Sequence, residues 1–176
     1  ADALAARGYW QAFQEVRKSV EQVLNGENPG QVIGQDHGTW YRELFGPSVT
    51  AGILSAGDLA GYRNRPVYIR SSIHTPPRYE AVPDLLPASF ELLENETDPA
   101  VRVVLGHFVF VYIHPYIDGN GRLGRFLMNL MMASGGYPWT VIPVEKRGEY
   151  MASLESASVK EDIVPFATLL AELVAQ

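Results

Sequence analysis

The sequence predicts an all-α single domain, a helical bundle with one small β element, on three observations. Apolar residues recur at helical spacing along most of the chain, as in Leu4, Trp10, Phe13, Val16, Val20 and Leu24. Helix start and stop signals punctuate that pattern, above all Asp98-Pro99, Asn25-Gly26 and Gly135-Gly136. Only Val67–Ile73 has convincing β character, and a lone hairpin has to rest on a helical body. The 176 residues amount to one domain and suffice to bury a core.

Taken in order, Ala3 to Leu24 reads as an amphipathic helix, broken by Asn25-Gly26 and by Asn28-Pro29-Gly30. Trp40 to Phe45 reads as a short helix closed by Gly46-Pro47, and Gly57 to Arg65 as a loop leading to Pro66. The β segment Val67–Ile73 ends at Thr75-Pro76-Pro77. Pro83 to Glu94 is helical in pattern, with Pro87 disturbing its first turns. Asp98 is an N-cap with proline at the first helical position, and the helix it starts runs to Ile113, where Pro115 stops it. That helix is apolar nearly all round and is expected to be the central one. A further helix starts near Gly121, with Leu123, Phe126, Leu127, Leu130 and Met131 on one face, and ends at Gly135-Gly136 and Pro138. Two more follow, about Glu145 to Ser158 and Asp162 to Ala175.

Bulk properties exclude several function classes. A net charge of −6 argues against a broad nucleic-acid footprint, so any phosphate site is built locally. The absence of cysteine rules out disulfides, thiolate catalysis and cysteine zinc sites. No apolar run reaches the roughly 20 residues of a membrane span; Val101–Ile113 is too short and is interrupted by His107. No membrane partner is therefore expected, and with no signal peptide visible the expected location is the cytosol. The chain begins with Ala rather than Met, as a fragment or a trimmed chain would.

The chemistry concentrates in His114-Pro115-Tyr116-Ile117-Asp118-Gly119-Asn120-Gly121-Arg122-Leu123-Gly124-Arg125. Gly119 and Gly121 let the backbone turn sharply and approach a ligand. The first amides of the helix that follows lack intrahelical acceptors and, with the helix dipole, favour an anion. Arg122 and Arg125 share a helix face, and their planar forks suit phosphate oxygens. Asp118 can place a divalent cation such as Mg²⁺ between itself and phosphates. His114 ends the preceding helix and has the near-neutral pKa of a general base. The other histidines, His37, His74 and His107, show no metal-ligand grouping, and His107 reads as a core residue.

This run resembles the signature of Fic-domain enzymes, His-x-Phe-x-(Asp/Glu)-Gly-Asn-Gly-Arg-x-x-Arg, departing from it only in Tyr116, where Phe is usual. The resemblance extends from about His37 to the C-terminus and includes Gly61-Tyr62-Arg63, the segment before His74-Thr75-Pro76-Pro77, and the helix with Arg147 and Tyr150. It implies a Fic-type helical bundle with a β-hairpin flap over residues 35–176, preceded by an N-terminal helical extension over residues 1–34. The implied activity is protein adenylyltransferase, moving AMP from ATP to a Ser, Thr or Tyr hydroxyl of a target protein with release of pyrophosphate. On that reading His114 takes the hydroxyl proton and Asp118 holds Mg²⁺. Gly119, Asn120 and Gly121 form the anion hole, Asn120 near the α-phosphate. Arg122 and Arg125 hold the β and γ phosphates, and Gly124 between them belongs to the same ATP site. Tyr150 and Met151 fall at positions that line the adenine pocket, and Ser158 where relatives often carry Asn. Val67, Tyr68, Ile69, Arg70, Ser71 and Ser72 form the flap that aligns the target by main-chain pairing.

The inhibitory (Ser/Thr)-x-x-x-Glu-(Gly/Asn) motif of many relatives is only half matched, at Thr39–Glu43 and Thr168–Glu172, where Leu44 and Leu173 follow. A homodimer or a separate inhibitory partner is a possible regulator. Other phosphoryl or nucleotidyl transfers, removal of AMP, and a nucleotide-binding interaction module without turnover are the alternatives. Gly121 stands where phosphorylating relatives carry Lys, no glutamate suggests itself for AMP removal, and both His114 and Asp118 are present, which together favour adenylyl transfer.

Overall fold

Two Asx-Pro pairs start two of the long helices. The side-chain oxygen of Asn28 accepts from the Gly30 and Gln31 amides at 2.9 and 3.3 Å, and that of Asp98 accepts from Ala100 and Val101 at 2.8 and 3.4 Å. Proline follows each cap at the first helical position, where its missing N–H costs nothing. The computed structural model describes residues 2–176. Its helices are α1 (Asp2–Leu24), α2 (Pro29–Thr50), α3 (Val82–Asn95), α4 (Pro99–Ile113), α5 (Asn120–Ser134), α6 (Arg147–Lys160) and α7 (Val164–Val174). Short 3-10 turns lie at Ala56–Leu59, Tyr79–Ala81 and Val144–Lys146.

Asn28-Pro29-Gly30 is thus a helix start rather than a break, and the expected short helix at Trp40–Phe45 is part of a 22-residue α2 that continues through Gly46-Pro47. Packing decides this: α2 lies along α1 and buries Val32, Ile33, Trp40, Tyr41 and Leu44 in one core with Ala12, Val16 and Val23. Pro47 sits in the last turn, where it forfeits one hydrogen bond rather than a helix. The two helices cross so closely at Gly8 that an added Cβ would lie 2.0 Å from the Leu44 carbonyl oxygen. The boundary expected between residues 34 and 35 falls inside α2.

The central helix is α5, not α4. Leu123, Phe126, Leu127, Met128, Leu130, Met131 and Met132 of α5 are all buried, because α1, α2 and α4 pack around it. Although α4 is more apolar, it leaves Leu105 and Tyr112 exposed on one side. Pro87 is accommodated inside a continuous α3, and α6 begins at Arg147, after the 3-10 turn that holds Glu145.

The expected β-hairpin is not seen: no strand forms among the described residues, and the fold is all helical. Val67–Ile73 is instead an open strip with a turn at Arg70–Ser71, closed by the Ser72 amide donating to the Ile69 carbonyl at 3.1 Å. Ser71 takes a left-handed conformation there, φ 63°. The β-branched and aromatic residues read as β, but Tyr68 and Ile73 are 83% and 79% exposed, with no second strand to pair against among the described residues.

Candidate active site

The loop between α4 and α5 is built from its two ends. At the first, α4 stops at His114, whose backbone is left-handed (φ 53°, ψ 61°), and Pro115 follows. The carbonyls there need donors, and Arg63 supplies them from a buried position 51 residues upstream. Its Nε donates to the His114 carbonyl at 2.7 Å, and its Nη2 to the Ile113 carbonyl at 3.3 Å and to that of Pro77. The Arg63 amide donates to the Pro115 carbonyl at 2.8 Å. The His114 ring donates from Nδ1 to the Val111 carbonyl at 3.3 Å, which leaves Nε2 as the basic nitrogen. Burial lowers the pKa of His114; Arg63 and His74 also lower it, while the Val111 carbonyl and Asp118 oppose.

At the second end, Gly119 caps α5 with φ 84°, and a Cβ there would meet the Phe45 ring at 2.9 Å, so glycine is required by both conformation and space. Asn120 is 2% exposed, and its side chain braces the loop reciprocally. Oδ1 accepts from the Tyr116 amide at 2.9 Å and Nδ2 donates to the Tyr116 carbonyl at 2.8 Å. The Asn120 side chain is therefore engaged within the protein. Tyr116, the departure from the signature, is buried with its ring stacked 3.9 Å from that of Tyr41.

Asp118 is exposed; its Oδ1 accepts from the Gly119 amide at 2.6 Å and its Oδ2 lies 3.7 Å from Arg122. The Arg122 guanidinium also lies over the Phe45 ring, 5.3 Å from its centre. Among the described residues no carboxylate forms an ion pair with Arg125. Gly124 serves helix packing, since a Cβ there would meet Val111 at 2.8 Å and His107 at 3.2 Å. Its carbonyl accepts from His107 Nδ1 at 2.7 Å, so His107 Nε2 accepts the Tyr150 hydroxyl at 2.7 Å. His107 is fully buried, and that burial pushes its pKa down to about 4. Burial raises the pKa of Tyr150, and the positive charge of Arg125 opposes that.

These elements enclose a cavity of about 400 Å³, within the range of small-molecule sites. His114, Gly121 and Arg125 of the loop line it, with Tyr150, Met151 and Ser158 of α6 and Ile69 and Ser72 of the flap strip. Asp118, Gly119, Asn120, Arg122, Gly124, Val67, Tyr68, Arg70 and Ser71 are not part of that lining. Glu155, which also lines it, carries no sequence signal beyond its place on α6. Arg63 falls in the Gly61-Tyr62-Arg63 segment of the resemblance, but its role emerges only from asking which donor satisfies the end of α4.

The Fic/DOC family model matches residues 36–132, more than half of the chain and all of the loop just described. The chain belongs to the Fic/DOC family. It is 37% identical over 114 residues to protein adenylyltransferase fic-1 of Caenorhabditis briggsae, covering 62% of this chain and 22% of that protein. With protein adenylyltransferase Fic of Drosophila grimshawi it shares 41% identity over 78 residues, 44% of this chain and 16% of that protein. A solved structure of Fic-1 from Caenorhabditis elegans superposes with a TM-score of 0.78 at 27% identity, covering 97% of this chain and 48% of the other. A Fic domain containing signaling protein from Bacteroides thetaiotaomicron shares the fold, with a TM-score of 0.63, 21% identity, and 94% and 68% coverage. The chain spans about a fifth of the length of these curated relatives and about half of the Fic-1 structure.

Proposed function

We propose that this Fic domain transfers AMP from ATP to a Ser, Thr or Tyr hydroxyl of a target protein. One observation carries the reading: an imidazole with a free basic nitrogen shares a cavity with the Arg125 guanidinium and the Gly121 turn at the start of α5. His114 takes the proton of the target hydroxyl as its oxygen bonds to the α-phosphorus. The bond from that phosphorus to the bridging oxygen breaks, and pyrophosphate leaves with the electron pair. Arg125 and Arg122 balance the charge of the leaving group, and the first amides of α5 stabilise the oxygens of the transferring phosphoryl group. Tyr150 and Met151 frame the base end of the cavity.

The residues present fit Mg²⁺ shared with the nucleotide. Among the described residues no cluster of three or more His, Cys, Asp or Glu could cage an ion unaided. Asp118 offers one exposed carboxylate beside the loop, and Mg²⁺ commonly takes one or two carboxylates plus phosphate oxygens. When bound, the ion would neutralise phosphate charge, with Asp118 as its protein ligand. No helix among the described residues is long and apolar enough to cross a membrane.

The test is label transfer from α-labelled ATP to proteins of a cell lysate, with mass analysis of the adduct. His114→Ala should abolish transfer while leaving the circular dichroism spectrum unchanged. Undiminished labelling by that variant, or a gain of phosphate rather than AMP, would refute the reading.

A further inference from the structure

A second cavity, about 410 Å³, lies between α2 and α3 and shares no lining residue with the one around His114. It still reaches the loop between α4 and α5, because His37 and Tyr62 line it and their rings stand 6.3 and 5.6 Å from that of Tyr116.

One wall holds an acceptor without a good donor. His37 is 7% exposed, and its Nδ1 donates to the Ile33 carbonyl at 2.9 Å. Burial lowers the His37 pKa, so the ring is uncharged at neutral pH and Nε2 keeps its lone pair. The Tyr62 hydroxyl stands 3.5 Å from that nitrogen, beyond the roughly 2.7–3.2 Å of a formed bond. A buried acceptor in that condition is costly, and an N–H or O–H of an occupant would satisfy it.

The other wall is acidic. Glu91 and Glu94 share a face of α3, and neither pairs with a cation among the described residues. Gln31 donates to Glu94 at 2.6 Å, which leaves both negative charges in place. Phe90 and Pro87 add apolar surface to the same lining. The imidazole and the two carboxylates do not form a group that could hold a metal ion. The cavity therefore suits an occupant whose donors are spaced along an apolar stem.

We propose that this cavity binds a small organic ammonium, its charge on Glu91 and Glu94, its stem on Phe90 and Pro87, and a distal O–H or N–H donated to His37 Nε2. The site does not depend on the transferase reading.

Tyramine is the probe, with an ammonium and a hydroxyl at opposite ends of an aromatic stem. Titrated in the millimolar range, it should shift the amide NMR signals of residues 30–37 and 88–94. Without the ammonium, p-ethylphenol should bind about tenfold more weakly, and phenethylamine, without the hydroxyl, about threefold more weakly. Glu91→Gln combined with Glu94→Gln should remove the advantage of tyramine over p-ethylphenol. Gly34 is an exposed helical glycine that lines the cavity, and a Cβ there would meet only Phe90, at an ordinary 3.7 Å. Gly34→Leu should therefore fill the cavity and abolish binding with an unchanged circular dichroism spectrum. No shift with tyramine, shifts gathered instead around Tyr150 and Met151, or full binding by Gly34→Leu would each overturn the site. Equal affinity for all three probes, or an undiminished preference for tyramine in the double glutamine variant, would overturn the ligand class.

Discussion

His114 occupies a left-handed backbone that costs a non-glycine residue about 1–2 kcal/mol. Arg63 offsets that cost by bonding the carbonyls of both Ile113 and His114, so the guanidinium fixes where the imidazole stands. Because burial is the leading influence on His114, its pKa lies under the ordinary value of about 6.5. A general base works in its neutral form, so activity is present above that pKa and is lost as pH falls through it. The acid limb of kcat/KM for AMP transfer should therefore lie below about pH 6.5; a limb at or above that value in a pH–rate profile would contradict the buried environment. The residues from His114 to Arg125 were legible because they are adjacent in sequence and their chemistry is local. The roles of Arg63 and of Glu155, which accepts the Ile73 amide of the flap strip, were not, because each acts across a long stretch of chain on backbone groups that have no identity in a sequence.

The helices read best where one local signal is strong, the apolar period in α1 and α5 and the Asp98-Pro99 cap in α4. In α2 they conflict: Gly34, Gly38, Gly46 and Pro47 all disfavour a helix, yet burial against α1 outweighs them. The same packing makes Gly8 informative. Alanine there would add up to about 1 kcal/mol of helix propensity, but its Cβ would meet the backbone of Leu44, which cannot rotate away. Gly8→Ala should therefore destabilise the protein by about 1–3 kcal/mol in urea unfolding; an unchanged or raised midpoint would mean that α1 does not cross α2 there. The flap strip misled in the opposite sense, since β-favouring residues give an extended backbone but only a partner strand makes a sheet.

Across the whole molecule, His107 ties the core to the cavity, bonding α5 through Gly124 and α6 through Tyr150 and lying 5.3 Å from the Phe166 ring of α7. Its pKa of about 4 when folded means that the unfolded chain binds the proton more readily between the two values. Stability is complete above about pH 6.5 and falls as pH drops toward 4, by about 3 kcal/mol for this group alone. Urea unfolding at about pH 7 and pH 4.5 should show that loss, and His107→Gln should flatten it; an equal pH dependence in the variant would assign the loss to other groups. The sequence by itself determined the helical class, the Asp98-Pro99 helix start, and the loop whose glycines, carboxylate, imidazole and guanidinium groups define the chemistry, because those properties belong to single residues and their near neighbours. Tertiary structure alone decided which helix is central, that α2 runs unbroken, that Asn120 braces the loop, and that the flap leans on Glu155. Each of those depends on which distant surface a residue is packed against, and burial and hydrogen bonding there outweigh local preference.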